Sequence, residues 1–196
     1  MKPTDKNFFR SLFALVLLFS AFAAVCPGAE RPAHKFMATA GVNVVRGSSG
    51  DFRQIYGQSV LMPEIKVTCL VYRNFSVWGG FGMLSKQGFI EEVDETAKIK
   101  QNFLSFGVGY ARNLSVSLRL RGEVGLASIS FKEEALGGTM KGSGLGWKIG
   151  ADLDYFFGKK LFVTLAAAYS QASDQAEAGK IELGGAQVGA GVGLAF

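Results

Sequence analysis

The sequence predicts an all-β fold, a transmembrane antiparallel up-and-down β-barrel of eight strands, and three observations predict it. Apolar and polar residues alternate in segment after segment, which is the period of a strand with two unlike faces. The connections between segments alternate between short and long, as they do when turns gather at one end of a barrel and larger loops at the other. The polar face is rich in glycine and poor in charge, the reverse of what a water-exposed sheet requires.

Strand one, about 35–45, sets Phe36, Ala38, Ala40, Val42 and Val44 on one face and Lys35, Thr39, Gly41 and Asn43 on the other. Strand two, about 61–72, sends Ile65, Val67, Cys69 and Val71 outward against Glu64, Lys66 and Thr68. Pro63 has no N–H to give to a ladder, so regular pairing is expected to start after it, or a bulge to sit there. Strand three, about 75–85, exposes Phe75, Val77, Phe81 and Met83; strand four, about 99–110, exposes Leu104, Phe106, Val108 and Tyr110.

Strand five carries Leu114, Val116, Leu118, Leu120, Val124 and Leu126 against Ser115, Ser117, Arg119, Arg121 and Glu123. Strand six sets Leu145, Trp147, Ile149, Ala151, Leu153 and Tyr155 against Lys148, Asp152 and Asp154. Strand seven, about 161–170, turns Leu161, Val163, Leu165, Ala167 and Tyr169 outward. Strand eight, 181–196, places Ala186, Val188, Ala190, Val192, Leu194 and Phe196 opposite Gln187, Gly189, Gly191, Gly193 and Ala195. A greasy face with a small or polar reverse suits a strand standing between lipid and a packed lumen.

Tight connections are expected at Arg73-Asn74, Arg112-Asn113 and Gly158-Lys159-Lys160, and long loops at 46–60, 86–98, 131–144 and 171–180. A weak repeat marks the tight turns: Tyr72-Arg73-Asn74-Phe75-Ser76-Val77 is echoed by Tyr110-Ala111-Arg112-Asn113-Leu114-Ser115-Val116. Phe36, Phe75, Tyr110, Tyr155 and Phe196 are expected to ring the short-turn end as an interfacial girdle.

Residues 1–29 read as a secretory signal peptide, with Lys2, Lys6 and Arg10 ahead of the uncharged stretch 11–25 and small residues after it. Cleavage after Ala23 or Ala29 fits, the latter better because the apolar stretch runs on to Val25. At fifteen residues that stretch is short of the roughly 20 that a membrane-crossing helix needs. Ala23-Ala24-Val25-Cys26 loosely resembles a lipobox, with Val25 too bulky beside the cysteine. Once the leader leaves, residues 30–196 form one barrel domain with Cys69 as its sole cysteine, which gives no disulfide and no metal site.

Loss of Lys2, Lys6, Arg10 and Asp5 takes 21 basic and 16 acidic residues to 18 and 15. That mild balance, with no basic stripe interleaved with aromatics, excludes a nucleic-acid footprint. A soluble lipocalin-like barrel would share the alternation with its apolar face turned in, but an apolar face nearly unbroken around eight strands, with charges such as Lys100 only near the long-loop end, is too bulky for one small lumen.

An eight-stranded barrel has an interior just wide enough for side chains to fill it. By parity Lys66, Arg119, Arg121 and Lys148 share that interior with Glu64, Glu123, Asp152 and Asp154, four charges of each sign. Unpaired buried charge is costly, so a salt-bridge network filling the lumen is expected, either as a polar core or as the gate of a narrow conduit.

No catalytic constellation is present. His34 is the one histidine and precedes strand one at the short-turn rim. Asp152 and Asp154 share a strand face but are simpler as partners of the basic residues. The spacing of Gly189, Gly191 and Gly193 lacks the following helix of a phosphate loop. Glu91-Glu92-Val93-Asp94-Glu95 and Glu133-Glu134 read as solvated acidic loops without calcium-loop spacing. No cofactor is expected, and the chain is not expected to be an enzyme. Arg46, Arg53, Lys86, Lys98, Lys100, Lys132, Lys141 and Lys180 gather toward the long-loop end.

With its strand count, loop alternation and final Phe196, the segment from about Lys35 to Phe196 resembles the small eight-stranded outer-membrane barrels of the OmpA and OmpX type. The resemblance implies a location in the outer membrane of a diderm bacterium and Phe196 as the signal read by the barrel-assembly machinery. It also implies contact with membrane lipid and lipopolysaccharide, whose phosphates the long-loop cations would meet, and a monomeric state. Two functions stay open: a structural or surface-interaction protein displaying four extracellular loops, and a small gated pore.

Overall fold

Strands that alternate this strictly leave a row of unpaired backbone groups at each sheet edge, and in lipid no edge can stay open. The chain closes it. The computed structural model, which describes residues 35–90, 94–135, 137–176 and 179–196, is a barrel of eight antiparallel strands in sequence order, β8 pairing back onto β1. The strands are β1 (Phe36–Gly47), β2 (Val60–Tyr72), β3 (Phe75–Ile90), β4 (Glu95–Asn113), β5 (Leu118–Ala135), β6 (Gly138–Phe157), β7 (Leu161–Ala176) and β8 (Gly179–Ala195). The leader, Cys26 and His34 lie outside the described residues.

The outward face is the expected one. Phe81, Leu104, Phe106, Val124, Leu126, Leu145, Leu165 and Val188 are all exposed there. Phe36, Phe75, Tyr110, Tyr155 and Phe196 stand exposed at the short-turn end, Phe75 and Tyr110 edge to face at 5.3 Å. Phe196 exchanges backbone hydrogen bonds with Phe36. Around Pro63, β2 pairs with β3 only from Glu64 onward, while its ladder with β1 runs through Pro63 to Val60; the irregularity lies at the other end, between Leu70 and Tyr72.

Three expectations are corrected. The turn placed at Arg112-Asn113 falls instead at 114–117, because Ser115 Oγ accepts the N–H groups of Ser117 (3.2 Å) and Leu118 (3.1 Å) and folds that stretch over. Leu114 and Val116 are therefore turn residues and not part of strand five. The loops placed at 86–98, 131–144 and 171–180 are largely strand: β3 and β4, β5 and β6, and β7 and β8 continue as tall hairpins.

The last correction is a helix inside the span 46–60. Helix α1 (Gly50–Tyr56) starts after Ser49 and ends at Gly57, whose N–H donates to Arg53 O. Phe52, Ile55 and Tyr56 recur at the spacing that gives a helix one apolar side. That side lies on the hairpin end of the barrel, where Tyr56 is buried and Phe52 and Ile55 pack against the inner apolar cluster. The seat is cut to fit: a Cβ on Gly88 would stand 2.2 Å from Ile55 O, and one on Gly47 would stand 2.4 Å from the Phe52 ring.

Candidate functional site in the barrel lumen

The lumen is filled in three layers, and each follows from which residues occupy the inward parity at that height. At the short-turn end Met37, Phe156, Phe162 and Ala195 pack into an apolar cluster. In the middle lie the charges. At the hairpin end Val45, Val60, Met62, Leu84, Ala97, Ile99, Phe103, Ile129, Phe131, Ala172 and Leu183 form a larger apolar core, with Tyr56 of α1 over it.

Arg121 is the hub of the middle layer and is 1% exposed. Its Nε and Nη2 donate to the two oxygens of Asp154 at 2.8 and 3.1 Å, and Nη2 also stands 2.8 Å from Asp152 Oδ2. Its Nη1 donates to Thr68 Oγ1 at 2.9 Å and to Glu123 Oε1 at 3.3 Å. A guanidinium has five N–H groups, and four hydrogen bonds leave this one while the Asp152 carboxylate stands against Nη2. The ladder explains the arrangement: Arg121 faces Asp152 directly across β5 and β6, with Asp154 on the diagonal.

Lys66 reaches across the lumen from β2 to Glu123 at 2.9 Å and to Asp152. Lys148 pairs with Glu64 at 2.6 Å and sits 5.7 Å from the Trp78 ring centroid, while Asn43 donates to the other oxygen of Glu64. Seven of the eight parity-selected charges are thus ion-paired, five in one network around Arg121, and Lys148 with Glu64 as a separate pair beside it. Arg119 lies nearer the short-turn end, where its Nε donates to Asn113 Oδ1 at 3.0 Å and its guanidinium covers the Phe156 ring at 5.2 Å.

All of these charges come from β2, β5 and β6, whereas the facing wall of β7, β8 and β1 is small. Between them a cavity of about 30 Å³ is bounded by Thr39, Asn43, Glu64, Lys66, Asp152 and Thr164 and, on the small wall, by Gly41, Ala166, Ala190 and Gly191. Thr164 Oγ1 is buried there without a protein hydrogen-bond partner.

Sequence reasoning missed the outer layer. Ile129 and Phe131 share the parity of Arg121 and Glu123, and Leu84 shares that of Gly80 and Gly82, so their inward direction was already written in the alternation. The pairing of Tyr56, whose hydroxyl donates to Glu133, left no sequence signal. Burial, and then that hydrogen bond beside the Glu133 carboxylate, hold the phenol well above its ordinary range. Glu133 and Glu134 therefore do not form an acidic loop: they lie on β5 with opposite facing, and Glu134 accepts from Lys132. Glu91, Glu92 and Val93 lie outside the described residues. Among the described residues no group of three histidine, cysteine or acidic side chains is placed to hold a metal ion.

The closed eight-stranded barrel with an apolar exterior has counterparts among known proteins. The sequence matches the outer membrane protein beta-barrel domain over residues 11–196. The chain belongs to that family. Among solved structures it is similar to neisserial surface protein A, at 12% identity and TM-score 0.64, covering 85% of this chain and 100% of that one. It is also similar to OprG of Pseudomonas aeruginosa, at 15% identity and TM-score 0.63, covering 82% and 95%. The attachment invasion locus protein Ail of Yersinia pestis matches at 18% identity and TM-score 0.56, covering 81% and 97%. At these identities the likeness is one of fold. No curated protein matches the sequence. Family membership places the barrel in the bacterial outer membrane.

Proposed function

We propose that this chain is a non-conducting outer-membrane barrel, a structural or surface-interaction protein that works through what its four extracellular connections present. One observation carries the reading: the ion-pair layer is flanked by apolar layers on both sides. A lumen closed by charges alone could open by exchanging partners. One closed also by Phe156 and Phe162 below, and by Phe103, Ile129, Phe131 and Tyr56 above, has to expose apolar side chains to water in order to open. Catalysis has no part in this reading, and Phe196, exposed on the closing seam, is kept as the residue presented to the assembly machinery.

The small gated pore is the rival, and the cavity beside the network favours it. That cavity has room for about one or two waters, and no residue of either apolar layer lines it. Planar-bilayer recording of the refolded chain separates the two. The scaffold reading expects silence from the wild type and from Arg121→Met alike. Discrete conductance steps in the wild type would refute it.

A further inference from the structure

The lumen has two unlike walls. The ion pairs stand on β2, β5 and β6, while β7, β8 and β1 face them with small residues, and the cavity of about 30 Å³ lies where the walls meet. Its existence follows from how closely the strands run. A Cβ on Gly41 would stand 2.6 Å from Ala190 O, and one on Gly191 would stand 2.7 Å from Ala40 O, so neither β1 nor β8 has room for a side chain at that height. The charged side chains opposite are held in their ion pairs, and a gap stays between the walls.

Polar groups with unused bonding capacity border that gap from both sides. Thr164 on β7 is 4% exposed, and its Oγ1 has no hydrogen-bond partner among the described residues. A buried hydroxyl left in that condition destabilises a fold. Lys66 on β2 has three ammonium hydrogens, of which Glu123 and Asp152 take two. Each oxygen of Glu64 accepts one bond, from Lys148 and from Asn43, and a carboxylate oxygen has lone pairs for two.

Charge decides what fits there. A cation in the cavity would stand beside the Lys66 ammonium, and an anion beside Glu64 and Asp152, all of which are already ion-paired. A neutral molecule that both donates and accepts meets no such conflict. The cavity has room for about one or two waters, and a buried water makes about three hydrogen bonds.

We propose that the cavity is a resident water site, whose water bridges the two walls by accepting from Lys66 Nζ and pairing with Thr164 Oγ1, with Thr39 and the Asp152 carboxylate as further partners. The bridge supplies the third bond that fixes the Lys66 ammonium between Glu123 and Asp152. It also joins β7, which gives no charge to the network, to the charged wall. The site is independent of whether the lumen conducts.

The test follows magnetisation transfer from water to the methyl group of Ala166, which lines the cavity and has no exchangeable hydrogen, in the refolded chain in deuterated micelles. A resident water gives a cross-peak of the same sign as those within the protein, and the wild type is expected to show it. Thr164→Val keeps the shape and removes the hydroxyl. It should weaken the cross-peak and raise the urea unfolding equilibrium constant on the order of five-fold, the loss of about one hydrogen bond. Were the hydroxyl merely orphaned, the same substitution would lower that constant, because it removes a buried unpaired group. Absence of the wild-type cross-peak would overturn the proposal whether or not the variant folds, and so would a Thr164→Val barrel as stable as the wild type or more so. A wild-type cross-peak and stability that both fall when choline replaces sodium would overturn it in favour of a bound cation. A barrel that is silent in bilayer recording and lacks the cross-peak fails here alone, whereas one that conducts and keeps it refutes only the scaffold reading.

Discussion

Strand β5 is two strands in one. From Leu118 to Leu126 it turns leucine and valine outward and Arg119, Arg121 and Glu123 inward; from Ala127 onward it turns Ser128, Ser130 and Lys132 outward and Ile129 and Phe131 inward. The side-chain period never slips, but the polarity of the two faces exchanges. β4 repeats the exchange between Leu104 and Asn102 outside, and between Ser105 and Phe103 inside. A strand's geometry fixes only that successive residues point to opposite sides; the surrounding solvent decides which side must be apolar. The exchange therefore marks the outer surface of the membrane. Below it the barrel is built for lipid, above it for water.

The two halves are also held differently. Apolar side chains facing lipid leave water on folding but meet fluid chains in place of fixed neighbours, so the order of the lower half rests on its closed ladder and on the ion pairs around Arg121. The upper half encloses a hydrophobic core in the ordinary soluble manner, with α1 laid over it. The largest expected effect of a single substitution is Arg121→Met, which leaves Asp152, Asp154 and Glu123 crowded and short of a cation. Urea unfolding of the refolded barrel in vesicles should show a loss of about 3–5 kcal/mol.

Next comes a matched pair across the boundary. Ile129→Ala, in the upper core, should cost about 2–5 kcal/mol, and Leu126→Ala, facing lipid three residues below, roughly 1–2 kcal/mol less, because lipid fills the space the truncation leaves. Equal losses would erase the distinction between the halves. Gly88→Val drives a side chain into the backbone of α1 and should unseat the helix at a cost of about 1–3 kcal/mol while the barrel stays closed. Limited trypsin digestion would report it as faster cleavage after Arg53, which lies in that helix.

The smallest effect is one of pH. Because the Tyr56 phenol is raised, the docked helix keeps its proton where an undocked one loses it. Docking is thus at full strength below the ordinary tyrosine pKa of about 10 and weakens as pH climbs past it. In a spectrophotometric titration of the five tyrosines, the last to ionise should vanish in Tyr56→Phe.

Much of this was legible in the sequence. Alternation gave the strand count, the lipid face and the side of the lumen on which every network charge stands. It could not give partners, because Lys66 meets Glu123 and Asp152 across the lumen, with no ladder between β2 and either strand. The tall hairpins were read as loops for a physical reason: with Lys100, Ser130 and Lys132 outward, the stretches looked polar once only one face was expected to be apolar. Helix α1 was hidden by its seven-residue length and by depending on Gly47 and Gly88, which lie on other elements.

The exchange of polarity is tested most directly by single nitroxide labels at Val124, Leu126, Ser130 and Lys132, all on the outer face of β5, in a Cys69→Ser background. Relaxation by oxygen, which enriches in lipid, is compared with relaxation by a water-soluble nickel chelate. Oxygen should dominate at Val124 and Leu126 and the chelate at Ser130 and Lys132. Lipid-like behaviour continuing through Lys132 would contradict the account, because the upper half would then stand inside the membrane.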